Sequence, residues 1–325
     1  TQAVLAAYNA EDKLNSATGI QLANGLDQLY TTGESDADEA QLGPIYNEDG
    51  TITAALWAPT AQDIKLKLFN TDKTLAITHD MIFDDVTGIW SYTGGSELDR
   101  TLYRFEVTVY HAKAQGLQVL NVTDPYSVSL STNSRFSQFV NLNDDDLKPE
   151  GWDSHTIPTI NNFEDAVIYE GHIRDFSVRD ASTTVANRGK YMAFTEADSA
   201  PVRHLKTLAD KGLTHFHMLP ANDIASIEED SSKVVDMNST LEDLCKLNKD
   251  AEICDDSSIS PSIILGELFA SYDPISEAGK AQALAQAMRG IDQFNWGYDP
   301  YHFNVPEGSY SSDPEGVTRI KEMRA

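Results

Sequence analysis

Hydrophobic and polar positions alternate with a period of two in the first part of the chain. Ile64, Leu66 and Leu68 interleave with Asp63, Lys65 and Lys67, and Tyr103, Phe105, Val107 and Val109 with Arg104, Glu106 and Thr108. Successive side chains of a strand point to opposite faces, so this alternation predicts half-buried antiparallel strands. Shorter runs at Thr51–Trp57, Ile89–Tyr92 and Leu117–Val122 extend the set, with Asp49-Gly50, Thr87-Gly88 and Gly94-Gly95 as turns between them. Residues 45–125 therefore read as a β-sandwich within a domain spanning 45–150. Trp57 sits in an alternating strand and is expected in the core rather than on a ligand platform, while Trp90 fits either role. Upstream, Ile20, Leu22, Leu26, Leu29 and Tyr30 recur at helical spacing before the acidic, small-residue run Gly33–Gln41, so residues 1–44 read as a helical segment and linker.

From Ala166 the pattern changes to that of a parallel sheet. Val167, Ile168, Tyr169, Ile173 and Phe176 form a largely apolar run interrupted by Glu170, His172, Arg174 and Asp175, as expected of a buried strand whose carboxyl end carries polar groups. Pro201 then opens a helix with Val202, Leu205, Leu208 and Ala209 on one face, and Gly212 stands at its C-cap. Leu213–Leu219 reads as a second buried strand ending at Pro220, which completes a βαβ unit in a third segment spanning 151–325.

Composition narrows the partners. The chain has 325 residues, enough for about two domains by length alone. Its 24 basic and 51 acidic side chains leave a net charge of -27, which argues against nucleic acid or an anionic membrane and is compatible with a neutral polymer. No apolar run is long enough to span a bilayer, and Thr1 does not open a basic, then apolar, signal segment, so any targeting segment is expected to have been removed. Cys245 and Cys254 lie in a polar, acid-rich excursion without partners for a zinc site; they read as a short disulfide made in an oxidising compartment, with two free thiols as the alternative. Asn141–Asp146 clusters oxygen ligands, and Asp144 and Asp146 are candidates for a structural calcium. The run lacks the glycine and distal glutamate of a helix-loop-helix calcium loop, so a solvated acidic connection is the preferred reading.

The stretch Phe294–Tyr310 is neither helical nor alternating. Trp296, Tyr298, Tyr301 and Phe303 offer flat amphipathic faces beside Asp299 and Glu307, the mixture a sugar pocket needs. The competing reading is that these aromatics anchor a long loop to the core.

Several motifs then stand in one order. Leu56-Trp57-Ala58-Pro59-Thr60-Ala61-Gln62 is followed by Val167-Ile168-Tyr169-Glu170 with His172, Arg174, Asp175 and Phe176, and by Gly189-Lys190-Tyr191. Leu213-Thr214-His215 with Leu219-Pro220 comes next, and then Asn295-Trp296-Gly297-Tyr298-Asp299-Pro300 leads to Pro306-Glu307-Gly308-Ser309-Tyr310. From about residue 17 to 325 this order resembles the bacterial type I pullulanases, secreted debranching enzymes of the α-amylase superfamily.

The resemblance implies a multidomain β plus α/β chain: a β-sandwich similar to starch-binding modules, then the beginning of a (β/α)8 TIM barrel whose site lies at the carboxyl ends of its strands. It implies cleavage of the α-1,6 bonds of pullulan, branched starch or limit dextrin with retention, by an aspartate nucleophile and a glutamate acid/base and without a required cofactor. Tyr298 matches the tyrosine that stacks on the sugar beside the scissile bond, and Asp299 is expected to hold that sugar's hydroxyls, with Trp296 beside them. The family's VxxNH, RxD, acid/base and HD motifs follow a segment like Arg319–Arg324. The chain is therefore expected to be an amino-terminal part that is inactive alone and pairs with the missing carboxyl-terminal part of the barrel. Its nucleophile and acid/base are placed beyond Ala325, and His172, Arg174, Asp175 and Asp223 are supporting groups. The place implied is secreted, periplasmic or cell-surface. The alternative is a stand-alone α-glucan-binding protein without chemistry; a branching transferase is disfavoured by the Pro306–Tyr310 and cysteine-bearing segments.

Overall fold

Strand alternation becomes a sandwich because each of two sheets has one apolar face to hide. A computed structural model of the chain describes residues 4–19, 22–34, 36–111 and 113–325. The chain forms two units, residues 1–147 with 302–305, and residues 148–301 with 306–325. In the first unit, β1 (Val4–Tyr8) and β2 (Leu14–Gly19) form an antiparallel hairpin, and α1 spans Ala23–Tyr30. The hairpin corrects the reading of this region as helix and linker alone. Its turn is closed by a polar side chain rather than by a glycine pair, since Asn9 Oδ1 accepts from both Glu11 N and Lys13 N at 3.0 Å. Ile20, read as the start of the helical pattern, lies outside the described residues.

One sheet of the sandwich has the order β3 (Gly43–Tyr46), β4 (Ile52–Trp57), β8 (Ile89–Gly94), β7 (Ile82–Phe83). The other runs β10 (Gly116–Val122), β9 (Leu102–His111), β5 (Asp63–Phe69), β6 (Leu75–Asp80), with the short β11 (Ser137–Gln138) also on β9. The register pairs Leu66 with Phe105 and Leu56 with Trp90. Those side chains meet Ile52, Ala54, Ile64, Leu68 and Tyr103 in one core. Trp90 is in that core and its Nε1 donates to Ala58 O at 3.1 Å, while Trp57 is half-buried and donates to Thr87 O at 3.0 Å. Each indole nitrogen thus has a backbone acceptor, as a tryptophan packed into a sheet requires.

In the second unit, β12 (Ile168–Gly171) and β13 (His215–Met218) pair in parallel, joined through α3 (Ala200–Ala209). Ser199 caps α3 by accepting from Val202 N, and Gly212 ends it at φ +107° with Leu213 N donating back to Leu208 O at 3.0 Å. Both strands are shorter and far more exposed than their sequence suggests: Ile168 is 62% exposed, and the chain turns at His172 into a short helix, α2 (Ile173–Ser177). Two strands and one crossover helix cannot cover both faces of a parallel pair.

The cysteine-bearing excursion is not an exposed loop. It is a helical lobe of α4 (Leu241–Leu247), α5 (Leu265–Ser271) and α6 (Ala278–Met288) around its own core of Val235, Leu244, Leu265, Leu268 and Leu284. Thr240 and Asp243 make a reciprocal capping box at the start of α4. Cys245 and Cys254 are disulfide-bonded, with Cα atoms 5.7 Å apart. The last helix, α7, spans Thr318–Arg324. No helix among the described residues is long and apolar enough to cross a membrane.

Candidate functional site

The aromatic stretch is shaped by one glycine. Gly297 has φ +76°, and a Cβ there would lie 2.5 Å from Pro220 O, so only glycine lets the chain pass this close to the end of the β13 segment. The residues around it alternate in direction. Asn295 turns inward, where its Oδ1 accepts from Tyr310 OH at 2.9 Å, while Trp296 (59% exposed) and Tyr298 (69%) face solvent. Tyr310 OH also lies 3.4 Å from His172 Nε2, and His172 Nδ1 accepts from Arg174 N and Asp175 N to cap α2. The residue leaving the carboxyl end of β12 and the base of the aromatic loop are thereby tied through one tyrosine.

Trp296 and Tyr298 line a cleft of about 410 Å³ with Ile224, Glu228, Arg289 and Asp292. Phe294 joins them, its ring 5.7 Å from that of Trp296 and nearly perpendicular to it. Asp299 is exposed at the same cleft, and its backbone oxygen accepts from Ala225 N at 2.9 Å. Solvent-facing aromatic planes beside exposed carboxylates suit a ligand with alternating C–H faces and hydroxyl rims. Trp296 and Tyr298 thus present most of their ring surface to solvent rather than to the core. Phe303 is exposed as well, but it belongs to the first unit and Tyr298 to the second.

Glu307 is not a ligand-facing acid. It is fully buried, accepting from Ile224 N at 2.7 Å and from its own loop at Ser309 N at 2.8 Å. Burial first, and the charge of Glu229 second, push its carboxyl up to about 7. Glu229 in turn accepts from Gly308 N and from both terminal nitrogens of Arg319, each at 3.0 Å, and Arg319 Nη1 lies 3.7 Å from Asp223. Arg319 also donates to the carbonyl oxygens of Pro306 and Pro314. Asp223, Glu229 and Glu307 present oxygens within 4.8 Å of one another, a spacing a metal ion could use. The buried guanidinium already supplies the positive charge there, so the cluster is a clamp holding the Pro306–Tyr310 turn against α7. Asp223, expected as a supporting group, lies beside Arg319 in this cluster, whereas Glu229 and Arg319 carry no local signal in the sequence.

The calcium candidates in the first unit are held by a side chain. Arg100 Nη2 lies 2.6 Å from Asp144 Oδ2 and 2.9 Å from Asp146 Oδ1. The same unit buries Asp124, whose Oδ2 accepts from Tyr103 OH at 2.6 Å, and burial raises its carboxyl to about 6.

A β-sandwich followed by a βαβ unit with an aromatic cleft near the strand ends defines a carbohydrate-binding module leading into an α/β barrel, and residues 41–127 match the family of carbohydrate-binding module 48, the isoamylase N-terminal domain. A pullulanase of Klebsiella pneumoniae is 43% identical over 97% of this chain. The crystal structure of PulA from Klebsiella oxytoca is 40% identical with a TM-score of 0.89, covering 99% of this chain and 31% of that one. The Klebsiella pneumoniae pullulanase solved with maltotriose is 39% identical with a TM-score of 0.91, over 99% of this chain and 31% of that one. This chain is thus a homologue of the pullulanases, corresponding to an amino-terminal part of them. It spans 29% of the length of the Klebsiella pneumoniae relative.

Proposed function

We propose that this chain is the glucan-engaging amino-terminal part of a pullulanase-type glycoside hydrolase, which cuts α-1,6 branch bonds of pullulan, starch and limit dextrin with retention. The observation that carries the reading is the solvent-facing pair Trp296 and Tyr298 at the carboxyl side of the βαβ unit, in a chain homologous to pullulanases throughout. Tyr298 stacks on the sugar beside the scissile bond, and Asp299 and Trp296 hold its hydroxyls and its other face. The related Klebsiella pneumoniae pullulanase solved with maltotriose supports an α-glucan as ligand.

Retaining hydrolysis needs two carboxyl groups about 5–5.5 Å apart across the bond, one to attack the anomeric carbon and one to protonate the leaving oxygen. Among the described residues, Asp223, Glu229 and Glu307 bring their carboxyl groups close together near the cleft, but all three are buried, Asp223 and Glu229 face Arg319 and Glu307 accepts from Ile224 N and Ser309 N, so none is placed to attack a sugar. We assign the catalytic pair to a further part of the barrel, consistent with relatives several times longer than this chain. No cofactor enters that chemistry. The Cys245–Cys254 disulfide supports a secreted, periplasmic or cell-surface location.

The test is an assay of the 325-residue chain on pullulan, alone and after addition of a separately made carboxyl-terminal part of a relative's barrel. Reducing ends should appear only in the mixture. Release by the chain alone would overturn the division of labour, and binding without release in either sample would favour a stand-alone glucan-binding protein.

A further inference from the structure

A second cavity, of about 310 Å³, lies in the same unit, between the start of α2 and the disulfide-bearing lobe. Arg174, Asp175 and Arg179 line one side, Met237 and Met288 the other, and Asp292 and Phe294 the opening toward the Trp296–Tyr298 cleft, whose walls include these same two residues. The two cavities therefore adjoin at Asp292 and Phe294. Phe294 is half-exposed; the Arg174 guanidinium lies 5.8 Å from its ring centre, and Trp296 meets the ring on the cleft side. Arg174 is held in place by an ion pair with Asp175 at 3.0 Å, and burial raises the carboxyl of Asp292 while Arg174 opposes the rise.

The lining selects a ligand class. Asp175, Asp236 and Asp292 repel phosphates and other polyanions, and the two arginines make the space costly for a purely apolar ligand. A neutral polyol suits both demands, because fixed carboxylate and guanidinium groups pair with neighbouring hydroxyls while methionine and phenyl surfaces cover the C–H face. The volume falls at the lower end of small-ligand sites, roughly 300–1,000 Å³.

We propose that this cavity is an additional glucosyl subsite, taking one or two further sugar units of the glucan that stacks on Tyr298, with Asp292 and Arg174 as its hydroxyl-binding groups. The proposal rests on the glucan reading of the cleft. It is tested by calorimetric titration of the chain with maltotriose and with maltohexaose, in the parent, in Asp292→Asn and in Met237→Trp, which fills the cavity from the lobe side without altering its charges. The parent should bind the longer sugar on the order of tenfold more tightly, as expected for one or two hydrogen bonds to charged groups. Both variants should lose that preference, and Met237→Trp, which lies outside the cleft, should keep the parent's maltotriose affinity, whereas Tyr298→Ala should weaken both sugars. Retention of the preference in the variants, or its absence in the parent, would overturn the subsite and leave the cleft reading standing. Failure of the parent to bind either sugar would remove the glucan reading and the subsite together. A variant that does not fold is replaced by the other, since the two act on opposite walls.

Discussion

Arg319 and Glu229, 90 positions apart in the chain, face each other through two parallel N–H···O bonds of 3.0 Å, and neither side chain reaches solvent beyond 2%. Such a pair contributes little to stability relative to a hydrophobic isostere, but removing one partner strands the other's charge in the interior. Arg319→Met should therefore lower the unfolding free energy of the second unit by about 3–5 kcal/mol. Urea denaturation followed by tryptophan fluorescence reads this directly, and an unchanged midpoint would show that the clamp does not hold the Pro306–Tyr310 turn.

Glu307 gives the fold a pH dependence of unusual sign for an acid. Its carboxyl is raised from 4.5 to about 7, so between these values the folded chain holds a proton that the unfolded chain has released. Stability from this group is present below pH 4.5 and falls as pH rises to 7, by up to about 3 kcal/mol. Asp124, raised to about 6, acts in the same direction in the first unit. Glu307→Gln should flatten the slope attributable to the second unit. Equal slopes in parent and variant would exclude Glu307 as its source.

Tyr298→Ala should leave the fold intact, because the side chain is mostly in solvent, and should cost about 1–3 kcal/mol in sugar binding. Binding of maltotriose to folded variant and parent checks it. Equal affinity would refute stacking, and loss of soluble protein would return the tyrosine to an anchoring role.

Gly297→Ala tests the shape of the same loop. The new methyl meets Pro220 O at 2.5 Å in a backbone region that alanine disfavours, so the loop must shift. Maltotriose affinity should drop together with a lower melting temperature, and wild-type affinity at unchanged stability would show that the tight approach is unimportant.

Replacing both Cys245 and Cys254 by serine opens a link between positions nine apart in sequence and should destabilise the helical lobe by about 2–3 kcal/mol. Hydrogen exchange across α4 and α6 is the readout, since these helices share the core that the disulfide borders. Protection unchanged in both helices would mean that Val235, Leu244 and Leu284 hold the lobe without it.

The local rules determined the sandwich before any tertiary contact was known. The alternation at Ile64–Leu68 and Tyr103–Val109 has a period that only a strand with one buried face satisfies, and both runs are strands, with Ile64, Leu66, Leu68, Tyr103 and Phe105 in the core and Val107 packed against it. The α3 stop at Gly212 was legible for the same reason, because its cap is a matter of a few adjacent residues. The motif around Tyr298 located the cleft, although not which acids face it. That selection was made by tertiary structure: Asp299 and Glu307 are both acids near aromatics, yet one is exposed and the other is buried against Ile224 N and Glu229. The exposure of β12 also lay outside local pattern, since an apolar run records a strand's preference for cover and not whether neighbours provide it. The pairing of Arg319 with Glu229 is the limiting case. A buried charge is stable only beside its opposite, and partners so far apart in sequence are brought together by the fold alone.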